Sequence, residues 1–321
     1  MASYDIFNGD ADGICALVQL RLEQPKPGAI LITGVKRNIN LLSQITVQPG
    51  DDITVLDVSL DKNRAGLEQA LSAEATIYYA DHHFAGDIPE HNNLTAEINT
   101  SADVCTAMIV NARLKDKYIN WAITGAFGDN LNVSATALAS RAGLSDEQCT
   151  ALKRLGILIN YNGYGASLDD LHFNPADLYS TLVNYLDPLD FCSSGNETYT
   201  KLSDGYDQDL ANANALSPHF ESSRCRVYLL PNQSWARRVS GVYSNQLANE
   251  SPALAHAVLT EKSNGNYLVS IRAPLNNKTG ADEFCRQFPT GGGRAAAAGI
   301  NDLDSNSLEQ MIIDFDKFYN I

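Results

Sequence analysis

The chain has 321 residues, 23 of them Lys or Arg and 38 Asp or Glu, for a formal net charge of −15; 44% of it is hydrophobic. This is the balance of a soluble globular protein long enough for two domains, and it excludes a disordered chain. So acidic a surface opposes gripping a long nucleic acid through many phosphates and favours small anionic ligands held through cations. No stretch approaches the ~18 uninterrupted apolar residues of a membrane span. The start, MASYDIFNGDADG, lacks the basic and apolar regions of a secretory signal. The six cysteines (Cys15, Cys105, Cys149, Cys192, Cys225, Cys285) include no CxxC pair. They are expected to be reduced thiols, which points to the cytoplasm.

In chain order, SYDIF predicts a short strand ending at NGDADG (8–13), and ICALVQLRLE a helix that stops before QPKPG. AILITGV predicts a buried strand, ITVLDVS a strand ending in Asp57, AGLEQALSA a helix and ATIYYA a strand ending at Asp81. SADVCTAMIVNARL predicts a helix with Ser101 or Asp103 capping its start. WAITGAFGDN is an apolar segment, helical or extended, that delivers Asp129. On this reading each acidic or histidine cluster ends a strand-like run, and ligands of open α/β sheets bind beyond the carboxyl ends of the strands.

From about residue 130 to 225 the pattern is helical and polar. SDEQCTALKRLGILINY predicts a capped amphipathic helix and NPADLYSTLVNYL another. SSGNETYTKLSDGYDQDLANANAL is too polar for a core and suits a partly helical connection between domains. A strand-rich unit begins near RCRVYLLP, with an Asn-Gly hairpin turn in EKSNGNY. It continues through ADEFCRQF and GGGRAAAAG and closes with the helix SLEQMIIDFDKFY.

Four segments line up as one constellation: NGDADG, VLDVS (55–59), ADHHF (80–84) and GDN (128–130). A His pair alone is more often a surface or core feature than a ligand. With acidic partners at hand it becomes a cation site, because hard divalent ions such as Mn2+ prefer carboxylate oxygen with some imidazole. Two such ions ~3.5–4 Å apart can clamp an in-line phosphoryl displacement. Asp10 and Asp12 stand two apart, so a tight turn permitted by Gly9 and Gly13 could aim one carboxylate at each ion.

These motifs resemble those of the DHH phosphoesterases, named for the triplet Asp81-His82-His83. GGGRAAAAG (291–299) resembles the GGGH..AAG signature of their associated substrate-binding domain. The combination is similar to RecJ-type nucleases, nanoRNases and cyclic-dinucleotide phosphodiesterases. The resemblance implies an α/β fold: a largely parallel-sheet catalytic domain over 1–190, a helical linker over 191–225 and a smaller α/β substrate-binding domain over 226–321. It implies two divalent ions, Mn2+ foremost. Asp10 would hold the first and Asp12 the second, Asp57 would bridge both, and His82 and Asp129 would complete the second. His83 would face the substrate phosphate and act with Asp57 in catalysis.

One position departs from the family pattern. Nuclease relatives carry a His four residues before the first Asp of the motif, or an Asp two residues before it; here those positions are Ile6 and Asn8. Ile6 cannot ligate. Asn8 is either a weak neutral ligand to the first ion or a turn residue. Gly291, Gly292 and Gly293 read as a backbone nest before a small-residue helix, where amides approach a phosphate. Arg294 replaces the family's His and keeps anion recognition. Arg272, in SIRAP, matches a basic position facing the cleft, and Lys36 and Arg37 are further candidate contacts.

The implied activity is hydrolysis of a short nucleotide (a linear dinucleotide, nanoRNA or cyclic (di)nucleotide) to 5′-mononucleotides. No membrane is implied, long nucleic acid is disfavoured and a homodimer is left open. The rival readings are a RecJ-like single-strand exonuclease, a nucleotide 3′-phosphatase, and a nucleotide-binding sensor whose first metal site Asn8 weakens.

Overall fold

Apolar runs in the first hundred residues pair into one sheet in the computed structural model, which describes residues 1–320. Its strands are β1 (Ser3–Phe7), β2 (Ile30–Ile32), β3 (Asp52–Leu56), β4 (Thr76–Asp81) and β5 (Leu94–Ile98). They lie in the order β2-β1-β3-β4-β5, and every neighbouring pair is parallel. Helix α1 (Ala11–Glu23) leads from β1 to β2, and α2 (Leu60–Ser72) joins β3 to β4. Ile6, Ile53, Val55, Ile77 and Tyr79 bury one face of the sheet against Leu60, Leu67 and Leu71 of α2. From β1 the chain goes first to one side, to β2, then returns to the other, to β3. The carboxyl ends of β1 and β3 therefore flank a switch point, where open parallel sheets bind ligands.

The segment AILITGV yields only three strand residues, at the sheet edge and not fully buried, instead of a buried strand. The opposite edge, β5, carries a half-exposed LTAEI that sequence reading passed over.

Helices α3 (Thr106–Arg113), α4 (Ile119–Gly128), α5 (Asn132–Arg141), α6 (Asp146–Asn162), α7 (Pro175–Leu182), α8 (Pro188–Ser193) and α9 (Glu197–Asn214) follow. Helix α4 resolves the ambiguity over WAITGAFGDN. Residues Trp121–Gly128 are all buried, as befits a helix apolar on every side. It meets α1 closely, since a Cβ on Gly128 would lie 2.2 Å from the Cβ of Ala11. Helix α3 begins later than expected, with Cys105 at its N-cap, so Ser101 and Asp103 precede the helix and do not cap it. Helix α6 carries the expected capping box between Ser145 and Gln148.

The chain divides into two units, Met1–Ser203 and Asp204 onward, at a point inside α9. The polar stretch expected as a partly helical connection is thus a helix of 18 residues. Leu202, Tyr206, Asp209 and Ala213 form its buried stripe, at helical spacing.

The second unit contains β6 (Phe220–Glu221), β7 (Cys225–Leu230), α10 (Ser234–Glu250), β8 (Ala255–Glu261), β9 (Tyr267–Arg272), α11 (Ala281–Cys285), β10 (Gly291–Arg294), β11 (Ala297–Leu303) and α12 (Leu308–Phe318). The sheet order is β10-β11-β9-β8-β7-β6; β7 and β8 are parallel and the other pairs antiparallel. Val269, Ile271, Ile300, Phe284 and Phe315 lie in its core. The β8–β9 hairpin turns at the expected Asn-Gly pair, with Gly265 at φ +85°.

GGGRAAAAG corrects the expectation of a nest followed by a helix. It is a hairpin, in which Arg294 pairs with Ala297 and β11 runs on to Leu303. Four alanines favour a helix locally, but pairing with β9 and burial of Ala298, Ile300 and Leu303 override that preference. Among the described residues no helix is long and apolar enough to cross a membrane, and all six cysteines are free.

Candidate metal centre

Three neighbouring strand ends and two helix ends supply the site. Beyond β1, Asp10 is the N-cap of α1, and its Oδ1 accepts the amides of Asp12 and Gly13, both at 3.1 Å. Asp12, in the first turn of α1, accepts the amides of Thr106 and Ala107 at 2.7 Å each, and so caps α3 from a distance. Gly9 and Gly13 do not adopt a left-handed turn. They are required for close approach: a Cβ on Gly9 would lie 1.9 Å from the carbonyl oxygen of Gly34, and one on Gly13 2.3 Å from that of Asn8.

Asp57, just past β3, sits at φ +58°, in the left-handed region that Asp and Asn tolerate best after glycine. Its amide donates to Ala80 at 3.1 Å, and its Oδ1 accepts from the hydroxyl of Thr106 at 3.2 Å. Beyond β4, His82 is buried with Nδ1 2.9 Å from the carbonyl oxygen of Val104. Donation to that carbonyl leaves Nε2 with its lone pair turned to three carboxylates. The distances from Nε2 are 3.4 Å to Asp57 Oδ1, 3.8 Å to Asp12 Oδ2 and 3.9 Å to Asp129 Oδ2. His83 is held differently: its Nδ1 lies 2.7 Å from Asp81 Oδ1, and the Asp81 side chain is fully buried. One donor atom each from Asp57, His82 and His83 fall within 4.8 Å of one another.

Asp129 is delivered by the C-terminus of α4, the helical of the two forms left open for WAITGAFGDN. A helix C-terminus carries partial negative charge, so a carboxylate there requires cations nearby. One is Lys36, whose Nζ lies 2.5 Å from Asp10 Oδ2, 3.6 Å from Asp129 Oδ1 and 3.1 Å from Asn160 Oδ1.

These charges shift one another. Burial pushes the Asp57 carboxyl well up, and the charges of Asp12, Asp10, Asp81 and Asp129 push it further. Burial acts the same way on Asp10, but the Lys36 charge and hydrogen bond, with the Gly13 amide, hold its carboxyl below the usual value. Lys36 shows the converse: burial pulls it down, and Asp10, Tyr164 and Asp129 hold it well above an ordinary lysine.

No protein-family model and no curated protein matches the sequence, but solved structures match the fold. The exonuclease RecJ bound to manganese aligns with a TM-score of 0.59 at 15% identity, over 100% of this chain and 90% of its own. RecJ with Mn2+ from Thermus thermophilus gives 0.56 at 16% identity, over 99% of this chain and 52% of its own. The pGpG-specific phosphodiesterase PggH from Vibrio cholerae gives 0.56 at 14% identity, over 98% of both chains. The fold is that of the DHH phosphoesterases.

Within the DHH fold, the structure brings Asp10, Asp12, Asp57, His82, His83 and Asp129 together. The donor set of Asp12, Asp57, His82 and Asp129 suits a hard divalent ion. Asp129 Oδ2 and Asp81 Oδ2 are buried without a hydrogen-bond partner among the described residues, as an unmet demand for positive charge. Asn8 is 4% exposed and its Oδ1 likewise has no such partner, while Ile6 lies wholly in the core. Sequence reading missed Thr106 and Asn160, and took Lys36 for a substrate contact, not a partner of Asp10. Its place after β2 was the one available signal.

The remaining predicted residues lie in the second unit. Arg272, on β9, donates from Nε to Asn245 Oδ1 at 2.8 Å. Ala297 pairs with Arg272 on one side and Arg294 on the other, so the two arginines share a row and a sheet face. Gly291, Gly292 and Gly293 belong to the edge strand β10.

Proposed function

We propose that this chain is a divalent-metal-dependent phosphodiesterase that hydrolyses short nucleotides to 5′-mononucleotides in the cytoplasm. The substrates are a linear dinucleotide, nanoRNA or a cyclic (di)nucleotide, and the preferred ion is Mn2+. The observation that carries this reading is the convergence of Asp12, Asp57 and Asp129 on His82 Nε2 within 3.9 Å. RecJ structures that hold manganese and the pGpG phosphodiesterase support it through their shared fold. The net charge of −15 favours short substrates over long ones.

Asp12, Asp57, His82 and Asp129 hold the ion in this reading. When bound, such an ion makes water nucleophilic near neutral pH and neutralises phosphoryl charge. The Val104 carbonyl fixes the tautomer of His82. Asp81 orients the His83 ring through Nδ1, and in its imidazolium form that ring would donate from Nε2 to a phosphoryl oxygen or protonate the leaving group. The catalytic domain spans 1–190, a linker follows over 191–225, and 226–321 binds substrate. In that domain the row of Arg272 and Arg294 and the glycine edge strand Gly291–Gly293 are the contacts for substrate anions.

Hydrolysis rates with Mn2+ across an oligonucleotide length series, with products resolved by chromatography, test the reading. The rate is expected to fall at least about tenfold beyond a few nucleotides and to depend weakly on salt, because few phosphates are engaged. A sustained rate on long single strands, with a steep salt slope, would establish the exonuclease reading instead.

A further inference from the structure

We infer that Lys36 is a built-in cation at the first metal position, so that the centre takes one divalent ion where the sequence motifs imply two. The inference rests on the reading above that the centre binds a divalent cation.

The ammonium occupies the Asp10 side of the cluster. Both Asp10 oxygens are engaged, Oδ1 by two backbone amides and Oδ2 by Lys36 Nζ at 2.5 Å. The nearby residue that would add a second acid is Asn8, buried and neutral. The first position therefore has Asp10, a share of Asp57, and a positive charge already in place. A dication on Asp10 would face that ammonium across a short gap, and the ammonium already takes up one Asp10 oxygen and lies 3.6 Å from one of Asp129.

Asp129 is divided between the two sides. Its Oδ1 lies 3.6 Å from Lys36 Nζ, while its Oδ2 lies 3.9 Å from His82 Nε2 and has no hydrogen-bond partner among the described residues. One oxygen serves the ammonium, and the other is left for a metal ion held with His82.

Lys36 is positioned by its surroundings and is not a surface lysine that happens to reach inward. Its side chain is 23% exposed. Its backbone amide donates to the carbonyl of Gly163 at 2.8 Å, its Nζ to Asn160 Oδ1 at 3.1 Å, and the ring of Tyr164 lies 5.6 Å away. The preceding loop is pressed onto the Asp10 turn, since any Cβ on Gly9 would strike the carbonyl oxygen of Gly34. With two N–H bonds spent on Asp10 and Asn160, the third can donate to a phosphoryl oxygen. Lys36 then supplies charge to the substrate as a second ion would, without exchanging with solvent.

Titration of the full chain with Mn2+, read by electron paramagnetic resonance and by free-metal measurement, tests this. The native protein is expected to bind one ion with an uncoupled six-line signal, and Lys36→Arg to keep that count. The double variant Asn8→Asp/Lys36→Met is expected to bind two ions with an exchange-coupled signal. Two coupled ions in the native protein would overturn the inference and leave the proposed function standing. No bound ion would overturn both. If the folded double variant still takes one ion, Lys36 is not what excludes the second and the inference falls; should that variant not fold, the native and Lys36→Arg counts decide.

Discussion

Under the proposed function, Asp57→Asn is expected to cut hydrolysis of a short linear dinucleotide about 10³-fold, from the loss of several kcal/mol of metal-borne charge stabilisation at ~1.4 kcal/mol per decade. The same change is expected to raise the stability of the metal-free protein at neutral pH. Asn fits the left-handed φ of +58° at this position, so the backbone is not disturbed. What changes is charge. Burial and four surrounding carboxylates raise the Asp57 carboxyl well above its ordinary value. The carboxyl of an unfolded chain titrates near ~3.9. Stability is therefore fully present below that pH and is lost as pH rises toward the raised folded value, because the folded state there holds the extra proton. Without metal, the native protein should melt at falling temperatures as pH climbs above about 4. The variant should lose that slope, and Mn2+ should abolish it in the native protein. Thermal melts over a pH series, in chelator and in Mn2+, check this. A metal-free variant that is less stable than the native protein would contradict it.

The adjacent histidines are expected to fail in different ways. His82→Ala removes a buried donor that faces three carboxylates, and should weaken Mn2+ binding by about 10²-fold or more, with activity lost in step. His83→Ala removes a ring anchored on Asp81, and should leave Mn2+ affinity within a few-fold while kcat falls about 10²–10⁴-fold. Mn2+ titration beside steady-state kinetics separates the two. Equal loss of metal affinity in both variants would show that His83 ligates too.

Much of the first unit was legible because three of its apolar strands end directly at polar residues. Asp10, Asp57 and the Asp81-His82-His83 triplet each follow such a run, and parallel pairing sets those ends side by side. Asp129 was legible as a site residue but not as the end of a helix, since α4 is apolar on every side and shows no 3.6-residue period. The pairing of Lys36 with Asp10 was not legible at all. It depends on the loop after β2 folding onto the Asp10 turn, a long-range contact between Gly9 and Gly34. The cap of α3 escaped for the same reason: its first amides are satisfied by Asp12, not by Ser101 or Asp103 nearby. In the second unit GGGRAAAAG read as a helix because four alanines outvote a pairing that only β9 reveals. Helix α10 was passed over entirely, although Ala236, Val239, Tyr243 and Leu247 give it a clear buried stripe.

Anomalous diffraction at the manganese edge, from crystals grown with Mn2+, bears most directly on the cluster of acids around His82. A peak is expected within about 2.0–2.6 Å of oxygens of Asp12, Asp57 and Asp129 and of His82 Nε2. Those side chains well ordered with no peak among them, or a peak bound elsewhere, would contradict a metal-dependent phosphodiesterase.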